Sequence, residues 1–321
     1  MNALLTRRRA TAAAFVAAFV AAFAVLGAVS RSSPAAVGVT AAGPVPYAPW
    51  YWTMLVPRSN PDVVLLATSN GVLRSVDGAK TWHPTGPQGV NVTSLVQAGN
   101  LVYMGGVPGP NPVIRKGKGR TAPDGPAVLA VSNDDGKQFR LLQPTGLPHA
   151  SVQALAVDPS DGKTLYALMN DGSLYRSVDG AHSFSLVTKR IGISPWALAI
   201  TKGKNFVGGD MDTGGFASAN ATTWRRSPFT DARGGSMVME YAVDPADPAQ
   251  VLMTSVGIFR STDGGKTWRL GLKSNVMFGP VAWAAPASGV AYAIGFDRSF
   301  WRTDDGGSTW TLVSSGSAAA A

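Results

Sequence analysis

Cysteine is absent from the 321-residue chain, and some other reactive side chains are scarce. Without cysteine the chain has no disulfide, no thiol nucleophile and no attachment point for a lipid after a leader. Glu240 is the only glutamate, and the three histidines, His83, His149 and His182, stand far apart. Histidine and cysteine metal sites need closely spaced ligands, and the Asp-Gly phrases lack calcium-loop spacing. We therefore expect no metal and no cofactor.

Acidic residues are outnumbered by basic ones. The formal net charge is +9, or +6 without the N-terminal Arg7, Arg8 and Arg9. This excess is mild for a chain of this size, and no basic stripe interleaved with aromatic residues accompanies it. The charge favours an anionic partner, whereas nucleic acid is not expected.

One eight-residue pattern, called the box below, recurs in steps of about forty residues. Residues 261–268 read STDGGKTW, a hydroxyl residue and an aspartate followed by small residues and a closing aromatic. A worn copy at residues 218–224 has Asn220 in place of the aspartate. A constant period in this range is typical of propellers, solenoids and arrays. The other copies occupy residues 75–82, 132–139, 177–184 and 303–310.

Each box has the chemistry of a tight turn between two strands, because short apolar runs precede and follow it. The aspartate can accept nearby backbone N–H groups, and glycine supplies positive φ at low cost. The closing aromatic ring can cover the gap between two sheets. A carboxylate already bonded to its own turn is a poor catalytic candidate. The residues assigned this structural role are Asp77, Trp82, Asp134, Phe139, Asp179, Phe184, Trp224, Asp263, Trp268, Asp305 and Trp310.

The boxes resemble the Asp boxes, or BNR repeats, of sialidases, xyloglucan-cleaving hydrolases, sortilin-type receptors and photosystem II assembly factors. The phrases around them also recur, as in the AVDP of residues 156–159 and of residues 242–245. The resemblance covers about 265 of the 321 residues. It implies a fold more strongly than a function, because these families share blades and not chemistry.

The repeats predict an all-β protein in which residues 49–314 form a single β-propeller of six four-stranded blades, with seven blades as the alternative. Each box is then the turn between strands three and four. Turns between strands one and two share the box face, and all other connections lie on the opposite face. Residues 34–48 are predicted to be a linker and residues 315–321 a disordered tail.

Residues 1–33 have the pattern of an export signal. Three arginines precede an uncharged run of mainly Ala, Phe and Val over residues 10–29, and small residues follow. This run also has the length of a membrane span, so a cleaved signal peptide and a retained signal anchor both remain open. In either case we expect the rest of the chain to be exported and to touch the membrane only through this segment.

Residues 107–127 form an insertion between strands two and three of the second module. A loop this long in a compact fold is either functional or mobile. Its basic residues, together with charged residues in other loops of the same face, are the candidates for binding. The charged residues in the other loops could instead form ordinary salt bridges at the surface. The candidates are Arg115, Lys116, Lys118, Arg120, Lys189, Arg190, Asp212, Arg233 and Arg298.

Two functions remain open from the sequence. The preferred one is an exported, monomeric, non-catalytic propeller that binds a protein or glycan on the face opposite the boxes, as the resemblance to photosystem II assembly factors implies. The alternative is a glycoside hydrolase of the sialidase type, with Glu240, Asp210 and Asp231 as catalytic candidates. Against this, the Phe/Tyr-Arg-Ile-Pro motif of sialidases is missing. The neighbouring Glu240 and Tyr241 also point to opposite faces of a strand.

Overall fold

A computed structural model of the chain describes Val39 and residues 41–109, 125–193, 196–284 and 289–316. Every regular element in these residues is a β-strand. None of the described residues forms a helix that could cross a membrane. The predicted export signal and most of the predicted tail lie outside the described residues.

The strands form antiparallel sheets in chain order. The first sheet contains β1 (Tyr51–Leu55), β2 (Val64–Thr68), β3 (Gly71–Ser75) and β4 (His83–Thr85). The second contains β5 (Val90–Ala98), β6 (Leu101–Pro108), β7 (Val128–Ser132) and β8 (Arg140–Leu141). The third contains β9 (Val152–Val157), β10 (Leu165–Met169), β11 (Leu174–Ser177) and β12 (Ser185–Thr188). The fourth contains β13 (Ala197–Thr201), β14 (Asn205–Asp210), β15 (Gly214–Ser218) and β16 (Arg225–Arg226).

The last sheet has six strands, because two of them are long. The long β19 pairs with β18 near its start, where Arg269 lies opposite Arg260, and with β20 at its end, where Trp283 lies opposite Ala291. It therefore passes from the outer edge of one group of strands to the inner edge of the next. The strands are β17 (Glu240–Val243), β18 (Val251–Ser261), β19 (Arg269–Trp283), β20 (Ala291–Gly295), β21 (Phe300–Thr303) and β22 (Thr311–Ser314).

Buried hydrophobic residues form clusters between consecutive sheets, and a further cluster joins the last sheet to the first. Full burial of one such side chain stabilises the fold by about 1.5–3 kcal/mol. The sheets therefore stand around an axis and their ends meet, which is a β-propeller arrangement. Residues that share a cluster across two groups of strands are Leu65 and Met104, Tyr103 and Leu155, Leu168 and Phe206, Val207 and Met253, Leu252 and Phe278, and Tyr292 and Met54.

The segment before β1 packs where the first and last sheets meet. Val39 and Val45 are buried in the cluster that these two sheets share. The Val39 N–H donates to the Tyr292 hydroxyl at 2.6 Å, and the Val39 carbonyl accepts from Arg302 Nη1 at 2.8 Å. Part of the segment predicted to be a linker, residues 34–48, is thus built into the core.

The boxes form tight turns next to the outermost strands. Asp77 Oδ1 accepts the N–H groups of Lys80 at 3.1 Å and Thr81 at 2.9 Å, and Oδ2 accepts the Thr81 hydroxyl at 2.6 Å. The Ser75 hydroxyl donates to Asp77 at 2.8 Å and accepts the Ala79 N–H at 2.9 Å. Hydrogen bonds from Thr81, first of all from its hydroxyl, hold the Asp77 pKa well below its usual range. The same pattern recurs around Asp179, Asp263 and Asp305.

Removal of one box carboxylate is expected to destabilise the fold. The Asp263→Ala variant loses two backbone donors and the hydroxyl donors of Ser261 and Thr267. Hydrogen bonds to charged groups contribute about 1.5–3 kcal/mol, so we expect a loss of that order in urea unfolding. The matched control is Asn220→Ala in the worn box, where a neutral amide accepts the N–H groups of Thr222 and Thr223. An equal or larger loss in this control would contradict the role given to the carboxylate.

One small residue of each box, in a left-handed conformation, lies against the second strand of the neighbouring group. A Cβ built on Gly136 would come within 2.6 Å of Leu65, and one on Gly265 within 2.6 Å of Val207. Where this residue is alanine, it shares a cluster with a tyrosine of the neighbouring group. Glycine therefore faces a branched side chain, and alanine faces a tyrosine. The combinations are Gly136 with Leu65, Gly265 with Val207, Gly307 with Leu252, Ala79 with Tyr292, Ala181 with Tyr103, and Ala221 with Tyr166.

Candidate functional site

The innermost strands surround a cavity of about 220 Å³ on the axis of the propeller. Strands β1, β5, β9, β13 and β17 and the end of β19 all contribute to its wall. One end is formed by Arg58, Pro159 and Pro245, which belong to connections between first and second strands. These connections share a face with the boxes. The cavity therefore extends toward the box face, although the sequence led us to look only at the opposite face.

Glu240 lies at the inner end of this cavity. It is the first residue of β17, and the surface that it keeps accessible is within the cavity wall. Its Oε1 accepts the Tyr241 N–H at 3.1 Å, and no basic side chain of the described residues forms an ion pair with it. Burial raises the pKa of Glu240 to about 8, against the opposing effect of that hydrogen bond. The carboxyl group is therefore largely protonated at neutral pH.

The other end of the axis carries a cluster of aromatic rings, the aromatic mouth, formed by Trp50, Trp52, Trp196 and Phe296. The rings of Trp52 and Trp196 stack with centroids 5.6 Å apart and planes 5° apart. Trp50 stacks on Trp52 at 6.1 Å, and Phe296 meets Trp50 edge to face at 5.5 Å. All four residues are half-buried. They form a continuous aromatic surface on the face opposite the boxes.

The contact between Trp52 and Trp196 crosses the axis. Trp52 belongs to the first sheet, whereas Trp196 directly precedes β13 of the fourth sheet. The clusters described above join the first sheet only to the second and the last. Trp52 also directly precedes Thr53, which lies in the cavity wall. The tryptophan pair therefore lies between the axial cavity and the face opposite the boxes.

A hydrogen bond from the indole fixes the position of Trp52. Its Nε1 donates to Asn91 Oδ1 at 2.7 Å, and Asn91 is itself buried at the start of β5. A buried amide with a specific partner holds the ring in one orientation. The central ring of the aromatic mouth is thus held in place before any ligand arrives.

The charged residues predicted to bind a partner are spread over several loops. Lys189 and Arg190 are exposed after β12, and Asp212 is exposed in the turn after β14. Arg233 is exposed, and its Nη2 donates to the Asn275 carbonyl at 2.8 Å. Arg298 is half-buried in the turn between β20 and β21, two residues after Phe296. Of these residues, Arg298 lies nearest in sequence to a residue of the aromatic mouth. Arg115, Lys116, Lys118 and Arg120 lie outside the described residues.

Two of the predicted catalytic candidates close their own loops. Asp210 Oδ1 accepts the N–H groups of Asp212, at 2.8 Å, and Thr213, and Oδ2 accepts the Thr213 hydroxyl at 2.7 Å. Asp231 Oδ1 accepts the N–H groups of Arg233 at 2.9 Å and Gly235 at 2.8 Å. Both carboxylates are buried. Their bonding matches that of the box aspartates and is the bonding of structural groups.

The aromatic mouth was missed in the sequence because aromatic residues were assigned only to box ends. Trp50, Trp52 and Trp196 do not close a box. Their positions outside the boxes are the sequence signal that distinguishes them from the closing aromatics. Trp52 and Trp196 are 144 positions apart in the sequence, yet their rings stack. Only the closure of the propeller brings such residues together.

Antiparallel sheets of mostly four strands around an axial cavity define the chain as a β-propeller. At the level of sequence, no protein-family model and no curated protein matches it. Solved structures do match it in fold. The likeness is distant and extends to architecture alone.

Two similar structures are of one protein. The structure described as YCF48 bound to D1 peptide has a TM-score of 0.50 and 18% identity, covering 88% of this chain and 88% of that chain. YCF48 from Cyanidioschyzon merolae has a TM-score of 0.50 and 15% identity, covering 84% of this chain and 86% of that chain. A gluconolactonase from Xanthomonas campestris has a TM-score of 0.56 and 13% identity, covering 80% and 86%. Identities this low show the shared propeller fold alone.

Proposed function

We propose that this chain is a non-catalytic propeller that binds an extended protein segment at the aromatic mouth. The observation that carries the proposal is the surface of stacked, half-buried rings of Trp50, Trp52, Trp196 and Phe296. Tryptophan side chains in well-packed positions supply much of the binding energy in protein interfaces. A glycan that stacks on the same rings is the other ligand class to be tested.

The rings of the aromatic mouth are organised in advance, which reduces the entropy cost of binding. Trp52 is held by Asn91, and Trp196 is held by its stacking on Trp52. A partner therefore does not have to order these side chains. This arrangement suits a segment that brings one apolar or ring-bearing side chain to the axis.

Basic residues around the same face favour an acidic segment. Lys189, Arg190 and Arg233 are exposed there, and Arg298 follows the aromatic mouth. Complementary charge mainly improves the association rate and the selectivity. The segment is thus proposed to combine acidic residues with an apolar anchor.

The structural comparison supports binding of a protein segment. One of the similar structures is of YCF48 with a bound D1 peptide, and it covers 88% of this chain. That binding is a property of YCF48. It shows that a propeller of this size can hold a peptide, and we extend only the ligand class to this chain.

We further propose that the propeller has six blades and that it acts outside the cytoplasm. The clusters between groups of strands support the first point, since β17–β18 with the start of β19 and the end of β19 with β20–β22 each resemble one four-stranded group. The basic, then uncharged, N-terminal pattern supports the second.

The bonding of the acidic residues favours binding over hydrolysis. A glycosidase needs two carboxyl groups placed across the substrate. Asp210 and Asp231 are occupied in their own loops, whereas Glu240 faces the axial cavity. The three catalytic candidates therefore do not form the pair of carboxyl groups that a glycosidase needs.

The aromatic mouth can be tested with a library of random peptides displayed on phage. Peptides enriched on the full propeller would be synthesised, and their dissociation constants measured by fluorescence titration. Trp196→Ala is expected to weaken binding about 30-fold, since loss of an aromatic anchor costs about 2 kcal/mol. Trp196→Phe, which keeps a ring, should lose less.

The matched control is Trp224→Ala, which removes a tryptophan from the worn box on the other face. This variant is expected to bind the peptides as the parent does, once the folded fraction has been measured. Equal binding by the parent and Trp196→Ala would reject the aromatic mouth as the site. Enrichment on a glycan array, with no peptide enriched, would reject the ligand class.

A further inference from the structure

We propose that the axial cavity is a second binding site, which admits a small organic cation, a primary ammonium with a short apolar chain, from the box face. Glu240 pairs with the ammonium group at the inner end. This site is separate from the aromatic mouth and does not depend on the function proposed there.

The position of the tryptophan pair separates the two sites. Trp52 and Trp196 stack across the axis, directly beyond the level of Thr53. The remaining end of the cavity is formed by Arg58, Pro159 and other residues of the connections on the box face. A ligand would therefore reach Glu240 from the side of the boxes.

Among the titratable residues of the cavity wall, Glu240 is the one available to pair with a charged ligand. The other charged or titratable residues of the wall are Arg58, Asp244 and Tyr241, and β5, β9, β13 and β19 contribute none. Arg58 is exposed at the rim. Asp244 Oδ1 accepts the Ala246 N–H at 2.8 Å, and the Tyr241 hydroxyl points to the Gly208 carbonyl at 3.4 Å. No ion pair satisfies Glu240 within the described residues.

The size and the wall of the cavity define the rest of the ligand. A volume of about 220 Å³ leaves room for a small organic ligand. Apolar residues such as Leu55, Val157 and Val243 line the path between the rim and Glu240. An ammonium on a chain of a few carbons fits this combination of one carboxyl group and an apolar wall.

Burial gives binding a defined dependence on pH. The pKa of Glu240 is raised to about 8, whereas an alkylammonium, like the lysine side chain, keeps its proton to about pH 10. Between these values both partners are charged. Below the Glu240 pKa, binding must first remove a proton, which weakens the affinity about tenfold for each pH unit.

The test uses n-butylammonium chloride and the full propeller, with the thermal unfolding midpoint and the dissociation constant measured at pH 9 and pH 6.5. We expect a rise in the midpoint at pH 9 and an affinity about 30-fold weaker at pH 6.5, from tenfold per pH unit. The neutral n-butanol, of similar size, should have little effect. A peptide selected on the aromatic mouth should not compete with the cation.

Glu240→Gln is expected to abolish the response to n-butylammonium at pH 9. The matched control, Asp62→Asn, removes an exposed carboxylate that lies outside the cavity wall and should leave the response unchanged. Absence of binding by the parent at pH 9, or equal binding by Glu240→Gln, would overturn the proposal. If Glu240→Gln does not fold, the test compares n-butylammonium with n-butanol on the parent protein. If n-butanol binds as tightly as the cation, the positive charge has no role and the proposal is rejected.

Discussion

A chain that begins at residue 49 is expected to be much less stable than one that begins at residue 34. The shorter chain lacks Val39, Val45 and Ala48, which are buried between the first and last sheets. Burial of three small apolar side chains and two specific hydrogen bonds contribute roughly 5 kcal/mol together. This is a large fraction of the 5–15 kcal/mol that holds a typical protein folded. Urea unfolding followed by circular dichroism measures the difference.

A smaller change at the same contact provides the control. Tyr292→Phe keeps the ring in the core but removes the hydroxyl that accepts the Val39 N–H at 2.6 Å. An unpaired buried N–H costs about 1–3 kcal/mol, so this variant should lie between the two chains. If the chains starting at residues 34 and 49 unfold at the same urea concentration, the segment does not close the propeller.

Replacement of Glu240 by glutamine is expected to change how stability depends on pH. The pKa of Glu240 is raised from its ordinary value of 4.5 to about 8 in the folded chain. Between these values the folded state holds a proton that the unfolded chain has lost, so stability falls as the pH rises. The loss is about 1.4 kcal/mol per pH unit and levels off above pH 8.

The difference between the two proteins isolates this carboxyl group, because the box aspartates titrate in both. Relative to its stability near pH 4.5, Glu240→Gln should gain roughly 3–5 kcal/mol over the parent by pH 9. Urea unfolding of both proteins at a series of pH values provides the measurement. A parallel pH dependence in parent and Glu240→Gln would show that the buried carboxyl is not proton-linked to folding.

The repeated boxes made much of the fold predictable from the sequence. A hydroxyl, an aspartate and a closing aromatic at fixed spacing define a turn through local hydrogen bonds, and these bonds are present around Asp77 and Asp263. The predicted strands before and after a box are also present, as β3 and β4 on either side of the first box. The all-β propeller arrangement of four-stranded antiparallel sheets is confirmed at the level of architecture.

Contacts between distant parts of the chain were not predictable in this way. The Pro/Ala/Gly composition of residues 34–48 indicates a linker, and only the positions of Tyr292 and Arg302 make Val39 part of the core. The long β18 and β19 likewise depend on their pairing along the last sheet. The amino-acid composition of a segment does not show which distant residues it contacts.

The candidate site was predictable only in part. The sequence singled out Glu240 as the only glutamate and as a catalytic candidate, and the structure places it in the wall of the axial cavity. It did not reveal that the cavity extends toward the box face, since this depends on which ends of six separate strands leave space. The aromatic mouth depends on the meeting of Trp52 and Trp196 across the axis.

The fit between boxes and their neighbours has a consequence for evolution and for engineering by recombination. Gly265 leaves room for Val207, and Ala181 and Tyr103 share one cluster. Exchanging two modules that differ in this pairing would place an alanine methyl group against a branched side chain, or leave a hole beside a tyrosine. The pairing therefore restricts which modules can be neighbours, and a module moved beside a mismatched neighbour would require a second change in the residue that it meets.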